Sequence, residues 1–425
     1  MSLRSSFALT SVTTLALAIA AQVHAGTVTT DGPDLIIKTK GGLDVSAADK
    51  SFGFKVGGRI HADYDNFDGV YTKNGQTADE FYFRRAFLTL SGYAFTDWNY
   101  VVSLDFGESG TSRWDELSVT YTGFDLADIK FGRFDPIVGL ERATGSNWTT
   151  AIERSAIYEI ADWAQDKKDG FGLQVSGTSG DLAYASAGIF RQKGNEDEVS
   201  GRNKNTFVTR AVVTPINAKG HVLHFGANYA TRSIENTPND TGSLNSRLGV
   251  RGTTEDTING ARASLGAGIT DGFENDQVWV LEAAYQFGPA SIQGEYLQRN
   301  LDGSRGQADR DATGYYVQTA YTLTGEARSY RLNGGRFDSI KPSNPSVGAW
   351  EVFYRYEDLS VEQTGVADRE ASIHTLGVNW YANEAIKVAL NYLIADTDNI
   401  VSATDKANGR KADGQAISAR LQYVF

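Results

Sequence analysis

The chain has 425 residues, 41% of them apolar, and carries 40 Lys plus Arg against 52 Asp plus Glu for a formal net charge of −12. An acidic balance of that size argues against a nucleic-acid partner. The absence of cysteine excludes a disulfide framework, a thiolate metal site and a thiol nucleophile.

Residues 1–25, MSLRSSFALTSVTTLALAIAAQVHA, read as a cleaved secretory signal peptide. Arg4 lies in a short basic region, an apolar core runs near Leu15–Ala21, and Val23-His24-Ala25 forms a small-residue cleavage site. That core is too short to span a bilayer, and no other window offers the ~18 apolar residues of a membrane helix. An exported chain without an anchor helix is either a free secreted protein or a transmembrane barrel. Residues 26–425 are expected to form one unit, because no linker, low-complexity tract or internal repeat divides them.

Period-two alternation dominates this unit. In 52–64, Phe52, Phe54, Val56, Ile60, Ala62 and Tyr64 share one parity, while Ser51, Lys55, Arg59, His61, Asp63 and Asp65 take the other. Similar segments follow at 81–91, 98–106, 116–121, 128–134, 171–177, 182–190, 207–214, 222–231 and 279–287, then at 290–298, 314–323, 349–357, 372–380, 386–394 and 415–425, giving sixteen expected strands. Tyr64, Trp98, Tyr285, Tyr315, Trp350 and Trp380 stand near the ends of apolar faces, as in the aromatic girdles of a membrane barrel. A soluble sandwich or solenoid also leaves one sheet face wet. Two features favour the barrel: connections alternate between short (178–181, 288–289) and long (135–170, 232–277), and the chain ends in AISARLQYVF, with Ile417, Ala419, Leu421, Tyr423 and Phe425 on one face. The expected fold is all-β, a 16-stranded antiparallel transmembrane barrel.

The basic residues raise a conflict at FYFRRAFLTL (81–90). Arg85 shares parity with Phe87 and Thr89 and should face the lumen, which leaves Arg84 pointing at lipid. A charge at the bilayer midplane costs about 2–4 kcal/mol. A β-bulge, or a position near the rim, is therefore expected to turn both guanidiniums inward. The long segment 135–170 is apolar enough to fold back into the barrel, burying Ile137, Val138, Trp148, Ile152 and Trp163 and carrying Arg142 and Arg154 to the lumen wall. Converging guanidiniums present forked donors that match phosphate oxygens and can replace the hydration shell of a dense anion. Alternatively, lumen arginines pair with lumen carboxylates and only stabilise the wall.

Long motifs identify a relationship. GTVTTDGPDLIIKTKGGLDV, YFRRAFL, DELSVTYTGF, KFGRFD, IERSAIYEIADW, YTLTGEARSYRLNGGRFDSIKP, GAWEVFYRYEDL, HTLGVNWYANEAIKV and RLQYVF resemble the phosphate- and polyphosphate-selective porins O and P over essentially the whole mature chain. The resemblance implies a homotrimer of sixteen-stranded outer-membrane barrels, a constriction lined by arginines and formed by an inward-folded loop, an external arginine ladder, and basic residues on the periplasmic side. By motif match, Arg59, Arg84, Arg85 and Arg154 fall on the constriction arginines, Asp115 on an acidic residue beside them and Ser146 on a hydroxyl ligand of the loop. Arg142, Arg247 and Arg251 correspond to the ladder. Lys38, Lys40, Lys50, Lys55, Lys130, Arg331, Arg336, Lys341 and Lys387 resemble the periplasmic-side basic set. The chain departs from the family pattern at Ser243 and Asn245, where further arginines are expected, and at Arg142, Gly145, Asn147 and Asn99. Family members that prefer orthophosphate carry tyrosines at two constriction positions where diphosphate-preferring members carry Phe and Asp. Here those positions are Phe87 and Asp135.

The resemblance thus implies facilitated diffusion of phosphate-type anions, with pyrophosphate or short polyphosphate favoured over orthophosphate. A general or organic-anion diffusion porin on the same scaffold is the alternative. An outer-membrane barrel enzyme would need a nucleophile, a base and an orienting group, and none of His24, His61, His221, His224 or His374 has a Ser and a carboxylate at motif spacing. No cofactor and no metal site are expected. The acidic run NEDE (195–198) reads as external-loop material, solvated or bridged by divalent ions to lipopolysaccharide.

Overall fold

Alternation carries directly into backbone. The computed structural model describes residues 26–28, 33–39, 41–107, 113–165, 171–191, 205–233, 244–253, 259–266, 273–304 and 306–425. The expected leader, Lys40, Ser243 and the run 195–198 lie outside the described residues.

Sixteen antiparallel strands close into a barrel. They are β1 (Phe52–Gly69), β2 (Gly75–Ala94), β3 (Trp98–Asp105), β4 (Arg113–Tyr121), β5 (Asp128–Arg133), β6 (Phe171–Ser179), β7 (Ala183–Arg191) and β8 (Asn205–Ala218). The second half comprises β9 (His221–Ser233), β10 (Phe273–Phe287), β11 (Ala290–Gly303), β12 (Arg310–Thr322), β13 (Ala349–Gln363), β14 (Arg369–Tyr381), β15 (Ile386–Asp398) and β16 (Asp413–Val424). Each of the sixteen segments anticipated from the sequence is one of these strands. A three-strand meander at Gly26–Val28, Leu35–Lys38 and Leu43–Ala47 was not anticipated; it adds to the sheet through Leu43–Val56 pairing at the start of β1.

The barrel is apolar outside and charged inside. Phe81, Phe83, Leu88, Trp98, Trp279, Leu281, Phe287 and Trp350 point outward and are exposed, as hydrocarbon and its interfaces require. Facing the lumen, Asp63, Arg210, Asp276, Arg355 and Glu357 are buried. Burying such charges requires partners, and the wall supplies them: Arg210–Glu282 at 2.8 Å, Arg299–Asp276 at 2.7 Å, Arg420–Asp63 at 2.6 Å and Arg328–Glu351 at 3.0 Å.

The barrel closes where β16 meets β1, from Ala416–Phe67 to Val424–Arg59. Phe425 finishes the seam by exchanging two backbone hydrogen bonds with Gly58, at 2.9 and 3.0 Å. Its ring lies on Gly58, where a Cβ would meet the Phe425 ring 2.6 Å away and also the Phe87 carbonyl. Glycine is thus required there by close approach.

Among the described residues, three connections enter the lumen. The 134–165 part of the β5–β6 connection folds inward, burying Val138, Ile152, Ile157, Ile160 and Trp163, with Ile137 and Trp148 half-buried. Residues 244–253 and 259–266 enter beside it and add Leu248, Val250 and Leu265 to the same cluster. The β12–β13 connection, 323–348, breaks the short–long alternation: it lies at the short-turn end yet is long. Its small hairpin, Tyr330–Arg331 against Arg336–Phe337, tucks into the barrel mouth, where Phe337 packs with Leu140, Val222 and Ala284. Arg210 donates to the Gly334 and Gly335 carbonyls, at 2.7 and 2.8 Å.

Gly58→Val should overpack the seam, costing about 1–3 kcal/mol and lowering the fraction of heat-modifiable, folded barrel recovered from membranes. An unchanged folded fraction would mean that the Phe425 contact does not contribute to closure.

Candidate functional site

The doubled arginine is resolved by one residue. Arg85 pairs with His61 and Phe83 with Ala62, so Arg84 is the extra residue of a β-bulge between β1 and β2. Alternation restarts across it: Phe83 faces out, Arg84 and Arg85 both face in, and Phe87 faces in while Leu88 faces out. A second bulge lies close by. Ser103 pairs with Glu116 and Leu104 with Trp114, which makes Asp115 the extra residue in β4. Bulges re-aim side chains in this way without ending the sheet. Arg59, opposite Phe87 in the ladder, lays its guanidinium 4.0 Å from the Phe87 ring centroid. Its electrostatic neighbours are Asp115, Asp105, Arg84 and Asp135.

Against this wall the inward loop delivers its own charges. The loop is held by wall carboxylates accepting from its backbone. Glu295 takes the amides of Leu140 and Glu141 at 2.7 and 3.0 Å and the hydroxyl of Tyr158 at 2.6 Å. Glu357 takes the Ala156 amide at 2.8 Å. Arg355 pairs with Glu141. Gly139, with φ 98°, enters the short helix Leu140–Ala143 where a side chain would collide with the Tyr158 hydroxyl. Glu141 and Thr144 then offer their carbonyls to Arg154 Nε and Nη2, both at 3.0 Å. Burial, followed by the charge of Arg142, pushes Arg154 down to about 10, so its charge persists at neutral pH.

These elements enclose a cavity of about 280 Å³. Arg84, Arg85, Arg142, Arg154, Arg247 and Arg251 line it, opposed by Glu153, Glu159 and Asp162. Six guanidiniums thus face three carboxylates, a local positive excess in a chain whose net charge is −12. Arg84 grips Glu153 through both forks, Nε to Oε1 at 3.0 Å and Nη2 to Oε2 at 3.2 Å, while Arg85 Nη1 stays 3.8 Å from Oε1. Burial alone would raise the Glu153 carboxyl, but Arg84, Arg420 and Arg85 outweigh it and hold the group well below the usual carboxylate range. Arg142 meets Asp135 at 2.8 Å and the Gln165 carbonyl at 2.9 Å. Arg247 meets Glu159 at 3.4 Å.

The remaining candidates are placed as follows. Ser146 is buried, with no hydrogen-bond partner on its hydroxyl among the described residues, and lies outside the cavity lining. Arg142, Arg247 and Arg251, read from the sequence as an external ladder, share one cavity with Arg84, Arg85 and Arg154. In the basic set, Lys38, Lys50 and Lys55 are exposed. Lys130 pairs with Glu116 at 2.6 Å and lies over the Phe134 ring. Arg331 pairs with Asp338 and Lys341 with Glu384. Arg336 lies on the tucked hairpin. Lys387 is buried and donates to the Thr149 carbonyl at 2.8 Å, so it contacts the inward loop directly.

Sequence reasoning missed Glu153, Glu141, Glu295, Arg355 and Arg420. The last is recoverable from parity, because Ser418, Arg420 and Gln422 oppose the outward face of β16. Which wall carboxylate meets which loop amide has no local signal. Among the described residues no group of three or more His, Cys, Asp or Glu is placed to hold a metal ion.

Two classes of arginine should separate by stability. Removing Arg210 leaves Glu282 buried and charged, so Arg210→Ala should cost about 3–5 kcal/mol. Arg85→Ala should cost less, because Glu153 keeps Arg84 and Arg420 as partners when Arg85 is removed. Thermal unfolding in detergent checks this, and equal losses would remove the distinction between wall and cavity arginines.

Comparison with known proteins agrees with this architecture. The family model for phosphate-selective porin O and P matches residues 54–425. Porin O of Pseudomonas aeruginosa is 48% identical, covering 97% of this chain and 97% of that protein. Among solved structures, the anion-selective porin from Comamonas acidovorans superposes with a TM-score of 0.54 at 12% identity, over 88% of this chain and all of that one. A loop L8 deletion mutant of OmpT from Vibrio cholerae gives 0.55 at 12% identity, with the same coverage. The two structural likenesses speak to the fold alone.

Proposed function

The chain belongs to the phosphate-selective porin O and P family and is an anion-selective porin of the Gram-negative outer membrane, and from that premise we propose that the guanidinium cavity binds phosphate-type anions and passes them by facilitated diffusion. Pyrophosphate or short polyphosphate is the favoured cargo over orthophosphate. The observation that carries this reading is the excess of six arginines over three carboxylates in one lumen cavity.

A phosphate entering such a cavity exchanges water for forked N–H donors. Arg84 and Arg85 offer the bulge pair from the wall, and Arg154 and Arg142 face them from the loop. Binding must stay weak enough for release, and carboxylates spaced among the arginines serve that end. Asp115 stands close to Arg59 in electrostatic terms, Asp135 already engages Arg142, and Glu153 engages Arg84.

The preference for the larger anion rests on Phe87 and Asp135. Phe87 presents a ring face to Arg59 and no hydroxyl donor. Asp135 is an acceptor, so it adds no donor and opposes deep capture of one compact phosphate. Selection then falls on total anion charge and reach. The homotrimer implied by the family resemblance, and contact with lipopolysaccharide, belong to the same proposal.

The test is single-channel conductance in chloride during titration with orthophosphate and then pyrophosphate. Block by both anions, stronger for pyrophosphate, is expected. Block stronger for orthophosphate would overturn the subtype. A large conductance that neither anion touches would mean a general diffusion pore. Phe87→Tyr combined with Asp135→Tyr should shift the preference toward orthophosphate by about tenfold, the weight of one charge-assisted hydrogen bond. An unchanged order of block would remove these two positions from selectivity.

A further inference from the structure

Glu153 has an arrangement that loop anchoring does not require. The loop is already fixed by Glu295, Glu357, Arg355 and Lys387. Glu153 instead projects into the cavity and lays its two oxygens on the fork of Arg84, with Arg85 beside it. Two acceptor oxygens on one fork are the contact that a phosphate would make there. Its Oε1 also accepts from Arg420 Nη2 at 2.7 Å. Arg420 is in turn held by Asp63 and by the Ile152 carbonyl at 2.6 Å.

We propose that Glu153 is a tethered competitor, a resident carboxylate that occupies the Arg84–Arg85 forks in the empty pore and yields them to an arriving phosphate-type anion. This rests on the anion-binding reading of the cavity. The empty pore then never leaves adjacent guanidiniums facing one another without a counter-charge. An anion must bring more acceptors or more charge than one carboxylate to take the site. Chloride has one centre and one charge and competes poorly, whereas phosphate and pyrophosphate compete well. The displaced carboxylate keeps Arg420 as its partner, so capture does not strand a buried charge, and its return helps to expel the anion.

Removing the competitor should tighten capture. Glu153→Gln is expected to lower the half-blocking concentration of both orthophosphate and pyrophosphate by about tenfold. It should also make chloride conductance saturate at lower salt than in the unaltered channel. Glu153→Asp keeps the charge but shortens the arm by one methylene, so an intermediate shift in the same direction is expected. An unchanged or higher half-blocking concentration in Glu153→Gln would overturn the proposal. So would noisier, larger openings with weaker block, the signature of a carboxylate that only steadies the loop. If Glu153→Gln fails to insert, Glu153→Asp decides by the same criterion. The unaltered channel is measured alongside. If neither anion blocks it, the anion-site reading itself has failed and the competitor goes with it; if it is blocked and the variants are not blocked more tightly, only the competitor is lost.

Discussion

Hydrocarbon offers no partner to a charge, so an ionised strand side chain at hydrocarbon depth must find one in the lumen. In a strand of strict alternation, two adjacent arginines cannot both satisfy that constraint. The extra residue at Arg84 removes the conflict by resetting parity, and the matching insertion at Asp115 does the same for an acid on β4. Much of the site follows from those two insertions. They set both guanidiniums of the pair on the side where the inward loop arrives, and they bring in an acid whose field reaches Arg59.

The lumen is organised by what each arginine is paired with. On the wall, Arg210, Arg232, Arg299 and Arg420 each meet a buried carboxylate at hydrogen-bond distance. Arg232 and Arg299 share Asp276, whereas Arg210–Glu282 and Arg420–Asp63 are neutral as pairs, and partners are desolvated together. In the cavity the balance differs, with three more guanidiniums than carboxylates among its lining residues. The wall therefore supplies rigidity, and the loops and the bulge supply net field. Both readings of lumen arginines open at the level of sequence, wall stabilisation and anion binding, have residues that fit them.

How much of this was legible in the sequence depended on whether the signal was local. Strand positions were legible because lipid on one side and charge on the other enforce period two along each strand. Arg84 was legible as a contradiction, since doubled arginines break that period. The inward course of 134–165 was legible from its apolar content. The tucked hairpin around Tyr330 and Phe337 was not, because a polar, glycine-rich stretch such as RLNGGRF looks like any exposed turn until its pairing with Arg210 and His224 is seen. Nor was the sharing of one cavity by Arg142, Arg247 and Arg251 with the bulge pair, which depends on two separate connections meeting inside the barrel. Glu153 was hidden by its neighbour, since attention in AIER falls on the arginine.

The seating of the cavity charges on connecting segments has an evolutionary meaning. Arg142, Glu153, Arg154, Arg247 and Arg251 all lie between strands, and backbone amides of their segments are taken by carboxylates, Glu295 and Glu357 on the wall and Glu141 and Glu159 on the inward loop. An amide is the same group whatever residue carries it. Substitutions at the cavity arginines can therefore accumulate without removing these amide anchors. A lineage facing a new nutrient could change what its pore prefers through a handful of point replacements, while inheriting the membrane scaffold unaltered.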